Sequence, residues 1–459
     1  MTTSQFLQQS LGLSPQTGAE NLLLYTEKKS PRLLYTCSFV FGHVLGKAVE
    51  ITHDFDYFLS SSIILKLNYS HRKCQGVYTQ EPHELLFETG IRPLPEAPIS
   101  INGETVFCGY SKEESQSAWH FDVLATSFYF ISRMEEWQIK DRDKHDRFEL
   151  QHSVLAKSGV HLSPVIDKWI HAFYKHFCAF YQTAFATNKS FKVVSTIDVD
   201  NLFAYRHKGL IRTSGAMVKD VLKADFANLG RRLAVISGRQ QDPFDIYEEV
   251  GKFCAEREIP LLYFFLFRNG TAFDRTVDPR SDSFDQVFDI IQRFGGAIGI
   301  HPSYHAAYKP EVMQEEIQHL ASRLHRPIHF SRQHFLRFDI KSTPQKLMKE
   351  GIDVDFSMGF ASGPGFRAGT SFPFYYYDFN HEAPTPLLFV PFCVMDGAYT
   401  VYQNQTPEEA LTSMLELAKQ VKQVNGIFIS VYHERSFSDH LYKGYGSLYK
   451  NLHQQLKGI

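Results

Sequence analysis

The stretch FKVVSTIDVDN, residues 191–201, runs a series of apolar and β-branched positions into two aspartates one residue apart, Asp198 and Asp200. A strand inside a core has no use for two carboxylates. They make sense where a strand leaves the core. In parallel α/β folds that C-terminal rim is where functional groups gather, since helices cover the strands and the loops are free to vary. As a helix N-cap and a turn, the pair would have only a structural job.

Downstream of residue 190 the pattern repeats. Strand-like runs at 191–197, 259–267, 296–300, 327–338, 352–358, 387–395 and 427–433 alternate with amphipathic helix-like stretches. Several of these helices begin after Pro or Thr and carry early acids, as helix N-termini prefer. Such alternation predicts parallel strands with helices outside them, as a barrel or an open doubly wound sheet of seven strands. Ionisable residues then pile up on one rim: Asp198, Asp200, His301, Arg332, Arg337, Asp355, Asp396 and His433. The first ~185 residues mix short apolar runs with helical stretches at 118–137 and 163–185. The polar break ATNKS at 186–190 predicts a boundary between a mixed α/β domain, 1–188, and a second domain, 189–459.

Bulk numbers narrow the function. The chain has 459 residues and a net charge of −2 from 48 basic and 50 acidic side chains, so no strong field for nucleic acid follows. Hydrophobic residues make up 43% and aromatics 14%, ample for packed cores. Six scattered cysteines give neither a disulfide framework nor a zinc ribbon. No secretory leader and no transmembrane stretch is visible, so a cytoplasmic protein is expected. Oligomeric state is not written in the sequence.

Among the motifs, HPSYH at 301–305 puts two imidazoles four apart, which on a helical turn would share a face and suit a metal ion. THDFD at 52–56 and GIDVDF at 351–356 repeat the paired-aspartate spacing. Only TIDVD closes a clean apolar strand in the same half of the chain as HPSYH. The Gly-rich GFRAGTSFPF at 365–374 lacks the lysine of a phosphate loop, so Arg367 is expected to orient a carboxylate or line a substrate cleft. YYY at 375–377 suits either sugar stacking or packing. No GxSxG elbow occurs.

In this order the motifs resemble those of the polysaccharide deacetylase superfamily (NodB homology, carbohydrate esterase family four), over roughly residues 190–455. TIDVD at 196–200 resembles its first motif and HPSYH its second, with Pro302 where Ser or Thr is usual. SRQHFLRF at 331–338 is a loose counterpart of the third, lacking its proline. Asp355-Phe356-Ser357 resembles a D-x-S segment, and ISVYH, ending at His433, the last motif. HFDVLATSFYFISRMEEW and DRFELQHS resemble the uncharacterised module that precedes such domains in some bacterial proteins.

The resemblance implies a distorted (β/α)7 barrel and a divalent metal, usually zinc, on Asp200, His301 and His305. It implies Asp198 as general base and His433 as general acid. An arginine near the base, Arg337 as first candidate with Arg332 left open, and Asp396 or Asp355 near His433 would fix orientation. The implied activity is removal of N-acetyl groups from an N-acetylated sugar or polysaccharide. Three alternatives are a hydrolase of a small amide, a metal-free carbohydrate hydrolase pairing Asp198 with Asp355, and a weakened sugar-binding protein.

Overall fold

The computed structural model describes residues 3–13, 21–93, 99–101, 104–109 and 117–458. Its strands are β1 Asn21–Tyr25, β2 Ala48–Thr52, β3 Leu65–Asn68, β4 Tyr78–Thr79, β5 Ile99–Ile101, β6 Glu104–Val106, β7 Lys192–Val199 and β8 Leu261–Leu266. They continue as β9 Ala297–His301, β10 Phe330–Ser331, β11 Val354–Met358, β12 Phe374–Asp378, β13 Ala383–Pro391, β14 Val394–Met395 and β15 Ile427–His433. Among the described residues no helix is long and apolar enough to cross a membrane.

The later half forms a nine-stranded sheet in the order β12-β13-β11-β10-β9-β8-β7-β15-β14. All its neighbours pair in parallel except β12, which runs antiparallel to β13. The expected (β/α)7 barrel is corrected in two ways. The run 387–395 is two strands, and β13 and β14 fall at opposite ends of the strand order. Only Phe392 and Cys393 separate them, a span of at most about 11 Å. The sheet must therefore curl until its ends nearly meet, yet no ladder closes it among the described residues.

Side chains alternate along these strands. Val194, Leu262, Phe264, Ile429 and Val431 point into a common core. Phe6 and Leu11 join that core, with the Phe6 ring 5.1 Å from Phe330. Lys192 Nζ donates to Gln9 O at 2.5 Å. Residues 6–11 thus pack at the strand-start end, opposite the ionisable rim.

Residues 21–79 contribute a parallel sheet in the order β2-β1-β3-β4. Helices Val123–Ile131 and Val165–Phe180 belong to the same half, and their apolar side chains share one continuous core with the outer side of the curled sheet. Buried polar groups also bind the halves. Asp167 accepts from Thr370 Oγ1 at 2.5 Å and Ser371 N at 2.8 Å. Arg367 grips Glu136 bidentately at 2.8 and 2.6 Å, and Arg133 Nε reaches the same carboxylate at 2.8 Å. Burial alone would push Glu136 up, but the two guanidiniums outweigh it and hold the carboxyl down at about 2. The Gly-rich loop is thus an interface, and Arg367, 1% exposed, orients the buried Glu136 carboxylate. In the tyrosine triplet, Tyr376 and Tyr377 are buried, and Tyr377 packs on Tyr35 and Phe128.

Glu136→Ala should destabilise the fold by about 3–5 kcal/mol, because it leaves buried Arg367 with no carboxylate partner and Arg133 with Glu135 alone. Denaturant unfolding measures this. A cost below about 1 kcal/mol would mean the cluster is not closed to water.

Candidate metal centre

β7 ends by placing Asp198 on the inner face and carrying the chain out through Asp200. β9, beside β8, ends at His301. The next chain segment is the informative one. The sequence predicts one long strand over 327–338, but β10 is only two residues. Arg332 N donates to Ile300 O at 3.1 Å and His334 N to Pro302 O at 3.2 Å, so the chain follows β9 past its end. It then turns sharply, with φ of 59° at Phe335 and 52° at Leu336. Two consecutive non-glycine residues in the left-handed region are unfavourable and persist where the surroundings over-determine them. The turn sets the His334 ring 5.0 Å from that of His301.

The result is a buried cluster. Asp200 Oδ1 lies 3.4 Å from both His301 Nε2 and His334 Nε2. One ligand atom from each of the three residues lies within 4.8 Å of the others. Each imidazole is held through its other nitrogen, His301 Nδ1 donating to Arg332 O at 2.6 Å and His334 Nδ1 to Asp274 Oδ1 at 3.1 Å. That arrangement fixes the tautomer and aims Nε2 at the cluster. Burial lowers His334 below its ordinary value, favouring the neutral form that ligates. Asp200 is held well below the carboxylate range: burial would raise it, but Arg435, His334 and His301 prevail. Asp200 Oδ1 and His301 Nε2 are buried without a hydrogen-bond partner. Orphaned buried polar atoms are costly. One carboxylate oxygen and two imidazole nitrogens are a donor set that suits a zinc-like divalent ion.

His305 is not part of this set. It is exposed, on the turn after β9. The i, i+4 argument needs a helix, whereas His301 ends a strand and the chain continues in turns, so the two rings diverge. Arg337 also departs from expectation. It donates to His145 O at 2.9 Å and Tyr304 O at 2.6 Å, and its guanidinium stacks on Tyr304 and Tyr308. It braces a loop and does not line the cavity. Arg332 takes the place beside the aspartate. Fully buried, its Nη1 donates to Asp198 Oδ1 at 2.7 Å and its Nε to Phe356 O at 3.0 Å, over the Phe264 ring.

Asp198 thus sits beside the cluster, with Oδ2 4.0 Å from His301 Nε2. On the other side of β7, β15 brings His433. Its Nδ1 donates to Asp396 Oδ1 at 2.6 Å and its backbone N to Asp396 Oδ2 at 2.7 Å, with Ser436 Oγ completing the cage. Burial pulls His433 down, but the Asp396 carboxylate wins and raises it to about 9. His433 borders a cavity of about 140 Å³ whose lining also includes Asp198, Asp200, His301 and His334. Asp355 is fully buried, accepts from Ser331 Oγ at 2.6 Å and lies outside that lining.

The sequence reading missed three more features. His334 stands just past β10, as Asp200 stands just past β7, so the rim rule could have found it. Arg435, two residues beyond β15, pairs with Asp200. Arg147, from the first half, lines the cavity and donates to Tyr402 OH at 2.9 Å. The other paired aspartates are structural: Asp54 caps helix Phe55–Ser60, and Asp353 pairs with His329 at 2.7 Å.

A family of unknown function (DUF7033) matches residues 22–182. No curated protein matches the chain in sequence. Among solved structures it is similar to a protein of Mycobacterium smegmatis assigned as a polysaccharide deacetylase, at 13% identity and a TM-score of 0.38, over 60% of this chain and 87% of that one. The polysaccharide deacetylase of Bacillus cereus is similar at 9% identity and a TM-score of 0.28, over 59% and 89%. A CE4 family pseudoenzyme of Bacillus anthracis is similar at 8% and 0.26, over 58% and 62%.

Proposed function

We propose that this chain is a metal-dependent hydrolase that removes N-acetyl groups from an N-acetylated sugar or polysaccharide, using zinc. The observation that carries the proposal is the convergence of Asp200, His301 and His334 between an Arg332-paired carboxylate, Asp198, and an Asp396-buttressed imidazole, His433. The motif resemblance supplies the substrate class.

Asp200, His301 and His334 would hold the ion. When bound, it supplies positive charge against the amide carbonyl and makes a water more acidic. The protein does the rest. Asp198 takes a proton from the attacking water, and Arg332 keeps that carboxylate in place. His433 carries a proton at neutral pH and delivers it to the leaving nitrogen, while Asp396 keeps the ring aimed. Arg147, paired with Asp143 and Tyr402, builds one wall of the cavity. The metal-free alternative pairing Asp198 with Asp355 fails, because Asp355 is sealed behind Ser331 and Ser357.

The direct test measures metal by elemental analysis and acetate release from chitooligosaccharides and β-1,6-linked N-acetylglucosamine oligomers. Stoichiometric metal with chelator-sensitive acetate release is expected. Metal without turnover on any acetamido sugar would favour a binding protein.

The acid role has its own signature. His433 must be protonated, so activity should hold below about 9 and fall as pH rises through it. Asp396→Asn removes the charge that raises His433, so the alkaline limb should move to lower pH with metal content unchanged. A limb that stays in place would assign it to another group.

A further inference from the structure

Between β7 and β8 stands an arm of two helices, Leu210–Leu222 and Phe226–Ile236. The first buries one residue only, Asp220, which pairs with Arg232 of the second at 2.9 Å. Its apolar side chains face outward. Leu210, Ile211 and Leu222 are 87%, 90% and 81% exposed, and Phe226 across the turn is 66% exposed. At 3.6 residues per turn, the first helix's larger apolar side chains, Leu210, Ile211, Met217, Val218, Val221 and Leu222, fall within one arc of about 140°. Leu233 and Ile236 of the second helix are exposed as well, whereas Val235 points inward. Scattered exposed leucines are ordinary, but an outward amphipathic face is not.

The surrounding charge says what covers it. Residues 208–239 hold seven Lys or Arg against two acids, in a chain whose net charge is −2. Both acids are engaged within the arm: Asp220 with Arg232, and Asp225 as an N-cap accepting from Asn228 N at 3.0 Å. A second copy meeting this face would bring like charge against like charge. An apolar stripe edged by Lys219 and Lys223 matches the interface of an anionic bilayer. The root of the arm lies on the rim of the metal centre. Arg212 donates to Thr276 O and Arg275 O, both at 3.0 Å, next to the Asp274 that holds His334.

We propose that this arm docks the protein on an anionic lipid surface and so holds the rim of the cavity close to that surface. The full-length protein should co-sediment with vesicles in which phosphatidylglycerol replaces about a third of the phosphatidylcholine, and not with phosphatidylcholine alone. Raising salt from about 0.15 to about 0.5 M should weaken binding. The double variant Leu222→Glu/Phe226→Glu should lose roughly ten-fold or more of vesicle affinity, and Lys219→Glu/Lys223→Glu should lose the preference for phosphatidylglycerol. Both pairs are exposed, so folding and acetate release from soluble oligomers should be unchanged. The vesicle assay needs no turnover and stands apart from the deacetylase proposal. No binding to anionic vesicles, or equal binding by Leu222→Glu/Phe226→Glu, would overturn it. So would a dimer in sedimentation that this variant dissociates, because the face would then belong to a second copy.

Discussion

Replacing His334 with alanine should strip the metal from the purified protein and take essentially all metal-dependent turnover with it. Losing an outer-shell partner of a ligand typically costs about 10–100-fold in metal affinity. Losing one of three protein ligands should exceed that range, leaving only Asp200 and His301. The informative control is His305→Ala. His305 is the residue that motif spacing favours, but its side chain is exposed and away from the cluster, so this variant should keep stoichiometric metal. Asp274→Asn should fall between them, because it loosens the hold on His334 without removing a donor. Elemental analysis after dialysis, with circular dichroism to show that each variant folds, separates the cases. Metal lost from His305→Ala and kept by His334→Ala would restore the motif-based ligand set and dissolve the centre described above.

Asp198→Asn should lower turnover by roughly 10²–10⁴, the range for a lost general base, and should leave the metal bound. The amide keeps the shape and can still accept from Arg332. It does not neutralise it, so the variant should also unfold at lower denaturant, since Arg332 is fully buried. Rates are therefore to be taken per folded molecule. Asp200→Asn should behave differently, weakening metal binding through loss of a charged oxygen donor. The outcome that defeats the assignment is metal lost from Asp198→Asn and retained by Asp200→Asn. Full activity in both would place the chemistry elsewhere.

Much of this was legible in the residues. Strand–helix alternation and the runs ending in Asp198, His301 and His433 announced parallel strands with a functional rim, because alternation and rim polarity are local properties of a chain. The same rule put both Asp396 and Asp355 near strand ends and did not choose which of them stands beside His433. What local patterns do not contain is which neighbours a turn creates. Motif spacing pointed to His305 and passed over His334, since i, i+4 geometry belongs to a helix, and the chain after His301 is not one. His334 reaches the cluster only because β10 lies beside β9 and the backbone reverses through two left-handed residues. Arg332 and Arg337 are indistinguishable as sequence, and only inward or outward placement around that reversal assigns one to Asp198 and the other to a loop. Arg367 was open between orienting a carboxylate and lining a cleft, because its partner, Glu136, lies 231 positions away. The sequence by itself determined the strand–helix alternation of the later half and set Asp198, Asp200, His301 and His433 at strand ends. The tertiary structure decided which of them meet, because convergence of side chains from separate strands depends on sheet curvature and turn geometry, which no short stretch of chain encodes.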